Sequence, residues 1–233
     1  MMQALTRLLL SVAVLAAASA VAAAQTAGDP DAERKADLVT AYKILVNEGI
    51  LDSFGHVSVR SSKDPNVFYM PRAIHAHSQA VIPLTLASIK LKPVIAQAGF
   101  LPPETPTFES RDARKPGGRG MQVTDSARGA ALARTLSSHP AALMRGHGEV
   151  VVGASVKQAV VYAAYIDINA RMQTQALLLS HNIVLMDESE LFTPAEFDIN
   201  RPWEHLRQKT LDDAAKAKVD RAQFGLDQTQ IKQ

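Results

Sequence analysis

From Asp37 the chain reads DLVTAYKILVNEGIL, in which Leu38, Ala41, Tyr42, Leu45 and Val46 recur at the three- and four-residue spacing of one helical face. Gly49 is the residue type that stops such a helix. The following FGHVSVRSS alternates, with Val57 and Val59 to one side and Ser58 and Arg60 to the other, the period of a half-buried strand. KDPN then supplies a turn and VFYM the return strand of a hairpin. The run AIHAHSQAVIP predicts a strand over 73–77 and a helical or irregular segment around Pro83. Prolines reduce LKPVIAQAGFLPPETPTFES to short strands and loops.

In the second half, Asp125 is placed to cap a helix through SARGAALARTLSSH. AALMRGHGEVVVGAS reads as a strand interrupted at Gly146-His147-Gly148. Ser155 caps a long helix, VKQAVVYAAYIDINARMQTQALLLS, and the tail from FTPAEFDINRPWEHLRQK is mostly helical and amphipathic. RDARKPGGRG reads as a basic, glycine-rich surface loop. No internal repeat and no linker emerges, so the pattern predicts one α/β domain.

The start of the chain follows another rule. Arg7 precedes an apolar stretch from Leu8, and small residues end in Ala22-Ala23-Ala24, the three-part layout of a secretory signal cleaved after Ala24, favoured by that ending over the other reading of a membrane anchor. Residues 1–24 are thus expected to be removed, 25–36 to form a polar leader and 37–233 to fold. Export to the periplasm follows, with no stable membrane insertion afterwards.

Composition narrows the chemistry. Hydrophobic residues make up 47% and charged residues 21% of the 233, as in globular chains. The 25 basic and 23 acidic residues leave a formal charge of +2, too balanced to point to nucleic acid. There is no cysteine, so disulfides, thiolate nucleophiles and thiolate metal ligands are excluded. Any metal must be held by His, Asp, Glu and water.

Residues two apart in a strand share a side, so His75 and His77 project together and can close on one divalent cation. Two ligands do not complete a zinc-type site. His147 stands between two glycines after an apolar strand, where it can be presented toward a neighbouring strand or simply face water. Gly55, His56 and Ser58 combine a flexible turn, a hydroxyl and exposed amides, a weak signal for an anion cradle. His139, His181 and His205 fall near helix ends, where a cation suits the dipole. Trp203 and the tyrosines Tyr162 and Tyr165 read as packing residues. Neither a phosphate loop nor a dinucleotide fingerprint is present; the GGRG loop lacks both the spacing and the context.

Taken in order, GHVSVR, HAHSQAVIP and MRGHG followed by a long helix resemble the class II aldolase/adducin family, and RPWEHL is similar to its bacterial members of unassigned substrate. The resemblance extends from about Asp37 to Lys209. It implies a three-layer α/β/α fold with a central, mainly antiparallel sheet, and a homo-oligomer, often a tetramer. It implies a divalent metal, zinc or else manganese, held by His75, His77 and His147, with Gly55, His56 and Ser58 binding the substrate's phosphate or carboxylate. The implied activity is carbon–carbon cleavage, retro-aldol or decarboxylative, through a metal-bound enediolate.

Two departures qualify it. Sugar-phosphate members usually carry Asn where this chain has His56, which favours a small hydroxy or keto carboxylate as substrate. Family members also place a few dozen residues, including an acid/base glutamate, between the hairpin and the His-x-His strand. Here VFYMPRA runs straight into IHAHS, and no acidic residue occurs between Asp64 and Glu104. Glu104, Glu109 and Glu149 are substitutes by composition only, and none is assigned. The other reading is therefore a catalytically impaired or non-enzymatic scaffold of adducin type.

Overall fold

The computed structural model describes residues 29–51, 55–70, 80–115, 117–193 and 196–223, with side chains through 218. The predicted signal, the expected strand at 73–77 and both His75 and His77 lie outside the described residues.

Helix α1 spans Ala32–Asn47 and buries Leu38, Ala41, Ile44 and Leu45, the face that the periodicity marks out. It starts five residues before Asp37, inside the stretch expected to be a polar leader. The reason is visible in the first turn, where Glu33, Arg34 and Lys35 offer no apolar position for a periodic reading to detect. Burial of Asp31 anchors this end instead. Its carboxylate accepts from Ser61 Oγ at 2.6 Å, Ser62 Oγ at 2.5 Å and Tyr69 Oη at 2.9 Å, tying the helix start to the hairpin. The Ser61 and Ser62 hydroxyls hold that carboxyl far below the usual range. At the other end Gly49 adopts φ +69, the left-handed stop that glycine tolerates.

Strands β1 (Val59–Arg60) and β2 (Phe68–Tyr69) pair antiparallel, with Val59 buried and Arg60 exposed as the alternation predicts. Helix α2 is short, Ile82–Leu86. Strand β3 (Thr107–Phe108) runs parallel to β4 (Ala141–Met144), which pairs antiparallel with β5 (Gly148–Val151). Two of the three pairings are thus antiparallel, and among the described residues they form two small sheets rather than one central sheet.

Helix α3, Ser126–Leu136, is capped by Asp125, which accepts from the Arg128 N–H at 3.0 Å. Helix α4, Val156–Leu179, is capped by Ser155, which accepts from the Gln158 N–H at 3.1 Å. Both caps fall where the sequence puts them. Helix α5 is Asn200–Gln223.

The core has two parts that share α4. In one, Val156, Val160 and Val161 pack with α1 and with Trp203 and Leu206 of α5. In the other, Tyr162, Ile166 and Ala170 pack with Leu84, Leu91, Phe100 and Leu143. A helix serving two cores must be apolar on more than one side, hence its dense run of apolar positions. Phe100 stacks on Tyr162 with ring centroids 3.9 Å apart, and Phe192 and Phe197 complete the aromatic group. The buried amides of Asn169 and Gln173 stand in for a neighbouring strand. They bond the backbone of Lys90, Lys92 and Val94 at 2.8–3.0 Å, so that extended segment keeps its pairs inside the core.

Tyr162 and Trp203 are buried packing residues, as expected. His139 and His181 follow the C-termini of α3 and α4. His205 differs: it lies in the second turn of α5, the wrong end for a favourable cation–dipole interaction, and faces solvent.

Candidate active site

The Gly-His-Gly stretch is a hairpin tip, not a strand end aimed at a neighbouring strand. Met144 pairs with Gly148, leaving Arg145, Gly146 and His147 as a three-residue loop between β4 and β5. Gly146 has φ +64 and Gly148 φ +133, conformations that L side chains rarely adopt, so both glycines are accounted for by the backbone. His147 is not demanded by the turn. Its imidazole is exposed and has no hydrogen-bond or ion-pair partner among the described residues.

The rest of the tip is held on three sides. The Arg145 N–H donates to the Phe108 carbonyl at 3.1 Å, and the His147 N–H donates to the Met144 carbonyl at 3.0 Å. The Arg145 guanidinium pairs with the Glu109 carboxylate, which Arg111 grips from the other side at 2.7 Å. These two arginines hold the Glu109 carboxyl well below its ordinary range. On the third side Thr85 of α2 donates its hydroxyl proton to the Ile82 carbonyl at 2.7 Å, and the same oxygen accepts from the Gly146 N–H at 3.1 Å. A methyl group at Gly146 would stand 3.6 Å from both Leu86 Cδ2 and Met121 Sδ. Helix α2, the first helix after the His-x-His motif, is therefore docked on the turn that carries His147.

Gly55, His56 and Ser58 lie just before β1, on the side of the molecule built around α1 and the hairpin. The His56 and Ser58 side chains are exposed and bond to no described residue, and no hydrogen bond links them to the His147 turn. Among the described residues no three His, Asp or Glu side chains converge as a metal site.

The three substitute glutamates have distinct environments. Glu104 is half exposed and paired with Lys92 at 2.9 Å, which lowers its pKa. Glu109 is fixed as an anion by two arginines. Glu149 differs from both: its two carboxyl oxygens are enclosed without a hydrogen-bond partner among the described residues. Burial, and then the nearby Asp167, raise its pKa to about 8. Composition cannot separate these three; only their surroundings do. Nor did sequence single out Thr85 and Arg145, because a threonine in a short helix and an arginine beside a glycine carry no signal until the turn is docked.

Residues 70–174 match the class II aldolase and adducin N-terminal domain family. The decarboxylase tropJ of Talaromyces stipitatus is 24% identical over 201 residues, covering 61% of this chain and 76% of the fungal protein. Among solved structures, L-fuculose 1-phosphate aldolase from Glaciozyma antarctica superposes with a TM-score of 0.59 at 14% identity, over 80% of this chain and 92% of that one. At that identity the likeness is one of fold, and it agrees with the α/β architecture described above. Among the described residues no helix is long and apolar enough to cross a membrane. The HAH and RGHG motifs both lie inside residues 70–174, the segment that is similar to the class II aldolase and adducin N-terminal domain family.

Proposed function

We propose that the protein is a divalent-metal-dependent carbon–carbon lyase acting on a small hydroxy or keto carboxylate, with His75, His77 and His147 as ligands to zinc or manganese. The observation that carries this reading is the hydrogen bond from the Gly146 N–H to Thr85 Oγ1, which joins the His147 turn to the helix following His75 and His77. Only Ser78 and Gln79 separate His77 from the described Ala80, so the tether between motif and helix is short. The donor chemistry fits a borderline cation: neutral imidazoles, no thiolate, and a His147 side chain unengaged by any described neighbour.

When bound, the metal supplies Lewis-acid polarisation of substrate oxygens. This chain's own residues have separate duties. Thr85, Arg145 and Glu109 fix the tip so that the imidazole is presented without reorganisation. Gly55, His56 and Ser58 are the proposed contacts for the substrate carboxylate. The tropJ likeness supports decarboxylation over aldol cleavage within this class.

The competing reading, an impaired enzyme or scaffold, is favoured by one observation: no acidic residue lies between Asp64 and Glu104, and none of the three substitute glutamates presents a free carboxylate at the His147 turn. The alignment with tropJ runs over 201 residues yet takes in 61% of these 233, about 142, as a shortened segment would produce. Loss of a general acid or base costs about 10² to 10⁴ in rate. Elemental analysis of the dialysed protein, followed by metal-dependent turnover of hydroxy and keto acids, decides between them. About one zinc or manganese per chain with turnover supports the lyase; metal without turnover supports the impaired enzyme; no metal after reloading leaves the scaffold.

Two further expectations belong to this proposal. Export follows from residues 1–24 and is checked by N-terminal sequencing of the secreted form, which should begin at Gln25. A homo-oligomer, tetrameric by family likeness, is checked by light scattering on the eluting protein.

A further inference from the structure

Between β3 and α3 lies a cleft of about 670 Å³, walled on one side by the basic loop after β3 and on the other by the outer face of α3. We propose that this cleft binds a small anionic molecule bearing a carboxylate or phosphate group, gripped by Arg114 and Lys115 from the loop and Arg134 from the helix. The proposal goes beyond the lyase reading and stands whether or not the His147 turn holds a metal.

The charge balance of the walls carries it. Arg134 has no hydrogen-bond or ion-pair partner among the described residues, and Lys115 has none closer than its field on Asp125. Its place in the last turn of α3 explains why a cation is welcome there but leaves all its N–H donors free. Of the two acidic residues on the walls, Glu109 is already neutralised by Arg111 and Arg145 and has nothing left to offer a cation. Asp112 lies in the field of Arg111. The cleft therefore presents uncompensated positive charge from two facing walls, with Thr107 adding a hydroxyl.

The loop wall is built rather than draped. A Cβ at Gly118 would sit 3.0 Å from Arg114 Cγ and 3.2 Å from Arg128 Nη2, so the glycine lets the backbone close on both arginine side chains. Arg128 is 5% exposed and donates to the Gln122 carbonyl at 2.7 Å, securing the far end of the loop. Arg114 donates to the Gly120 carbonyl at 3.1 Å, while its enclosed Nε has no acceptor. Holding the cations before the ligand arrives lowers the ordering cost of binding. A cleft of this size suits a metabolite-sized anion, not a polymer.

The test is calorimetric titration of the purified full chain with malate and, separately, inorganic phosphate, against sodium chloride at matched ionic strength. Binding of either anion is expected, with the Lys115→Gln/Arg134→Gln double variant weakened about tenfold or more. Circular dichroism checks that the variant is folded. Malate alone, weakened in the double variant, identifies a carboxylate site, and phosphate alone, likewise weakened, a phosphate site; both outcomes support the cleft. Arg201→Gln, which removes an exposed arginine of α5 outside the cleft, should bind as the parent does. No binding beyond the salt control, an unaffected double variant, or equal weakening by Arg201→Gln overturns the proposal.

Discussion

Thr85 Oγ1 accepts a hydrogen bond from the Gly146 N–H at 3.1 Å across 61 positions of sequence. Through it a short helix that follows one histidine motif grips the turn that carries the other. Thr85 is buried and spends its own proton on the Ile82 carbonyl, so its oxygen is oriented as an acceptor for the turn.

Thr85→Val keeps the shape and removes that acceptor. The Gly146 N–H loses its partner in a partly buried place, and stability should fall by about 1–3 kcal/mol in urea titration. Metal affinity should fall with it, and Thr85→Ser should restore both. A valine variant with parental metal affinity would separate the turn from the site.

Glu149 gives the protein an alkaline weakness. Its folded pKa, about 8, is raised above the ordinary 4.5, so the native state keeps a proton that the unfolded chain releases. From that group stability is greatest below about pH 4.5 and declines through pH 8 by up to about 1.4 kcal/mol per pH unit. Glu149→Leu, which removes the uncompensated carboxyl, should flatten this decline when denaturation midpoints are compared at pH 6 and pH 9. An unchanged slope would assign the alkaline sensitivity elsewhere.

Asp31 acts in the opposite direction. Its carboxyl is held below its ordinary value by Ser61 and Ser62, so the stabilisation it gives is present above about pH 4 and is lost as the pH falls further. Asp31→Asn should lower the melting temperature at pH 7 and remove part of the acid sensitivity. The change should be readable as faster amide exchange in the hairpin over 59–69 and the first turns of α1.

Asn169 holds Lys92 and Val94 with both ends of its amide, at 2.8 and 2.9 Å. Asn169→Ala leaves a backbone donor and acceptor unpaired inside the core, and should cost about 1–3 kcal/mol for each, measured by urea denaturation. Asn169→Asp keeps the acceptor for Val94 but loses the donor to Lys92, and near neutral pH should also be destabilising. A neutral alanine variant would mean that water takes over both backbone groups.

Phe100→Ala removes the ring stacked on Tyr162 at 3.9 Å and opens the core that contains α4. A loss of about 3–5 kcal/mol is expected from a phenylalanine truncation. Phe100→Leu should lose less, because it fills part of the space.

The sequence alone determined what depends on local chemistry. The buried face of α1, the Asp125 and Ser155 caps, the break at Gly49 and the positions of β4 and β5 each follow from near neighbours in the chain. The ordered histidine motifs were enough to point to the family whose N-terminal domain residues 70–174 resemble. Tertiary structure decided the rest, because it depends on residues far apart in sequence. The first turn of α1 has no apolar signal and is fixed by Ser61, Ser62 and Tyr69 acting on Asp31. Glu104, Glu109 and Glu149 are alike as letters, and become a surface ion pair, a doubly held anion and an enclosed acid only when Lys92, Arg145 and the α4 side of the sheet are brought to them. Likewise the basic loop reads as solvated until α3 supplies its facing wall. Periodicity and capping are set within a few residues, whereas charge balance and burial belong to whatever the fold places alongside.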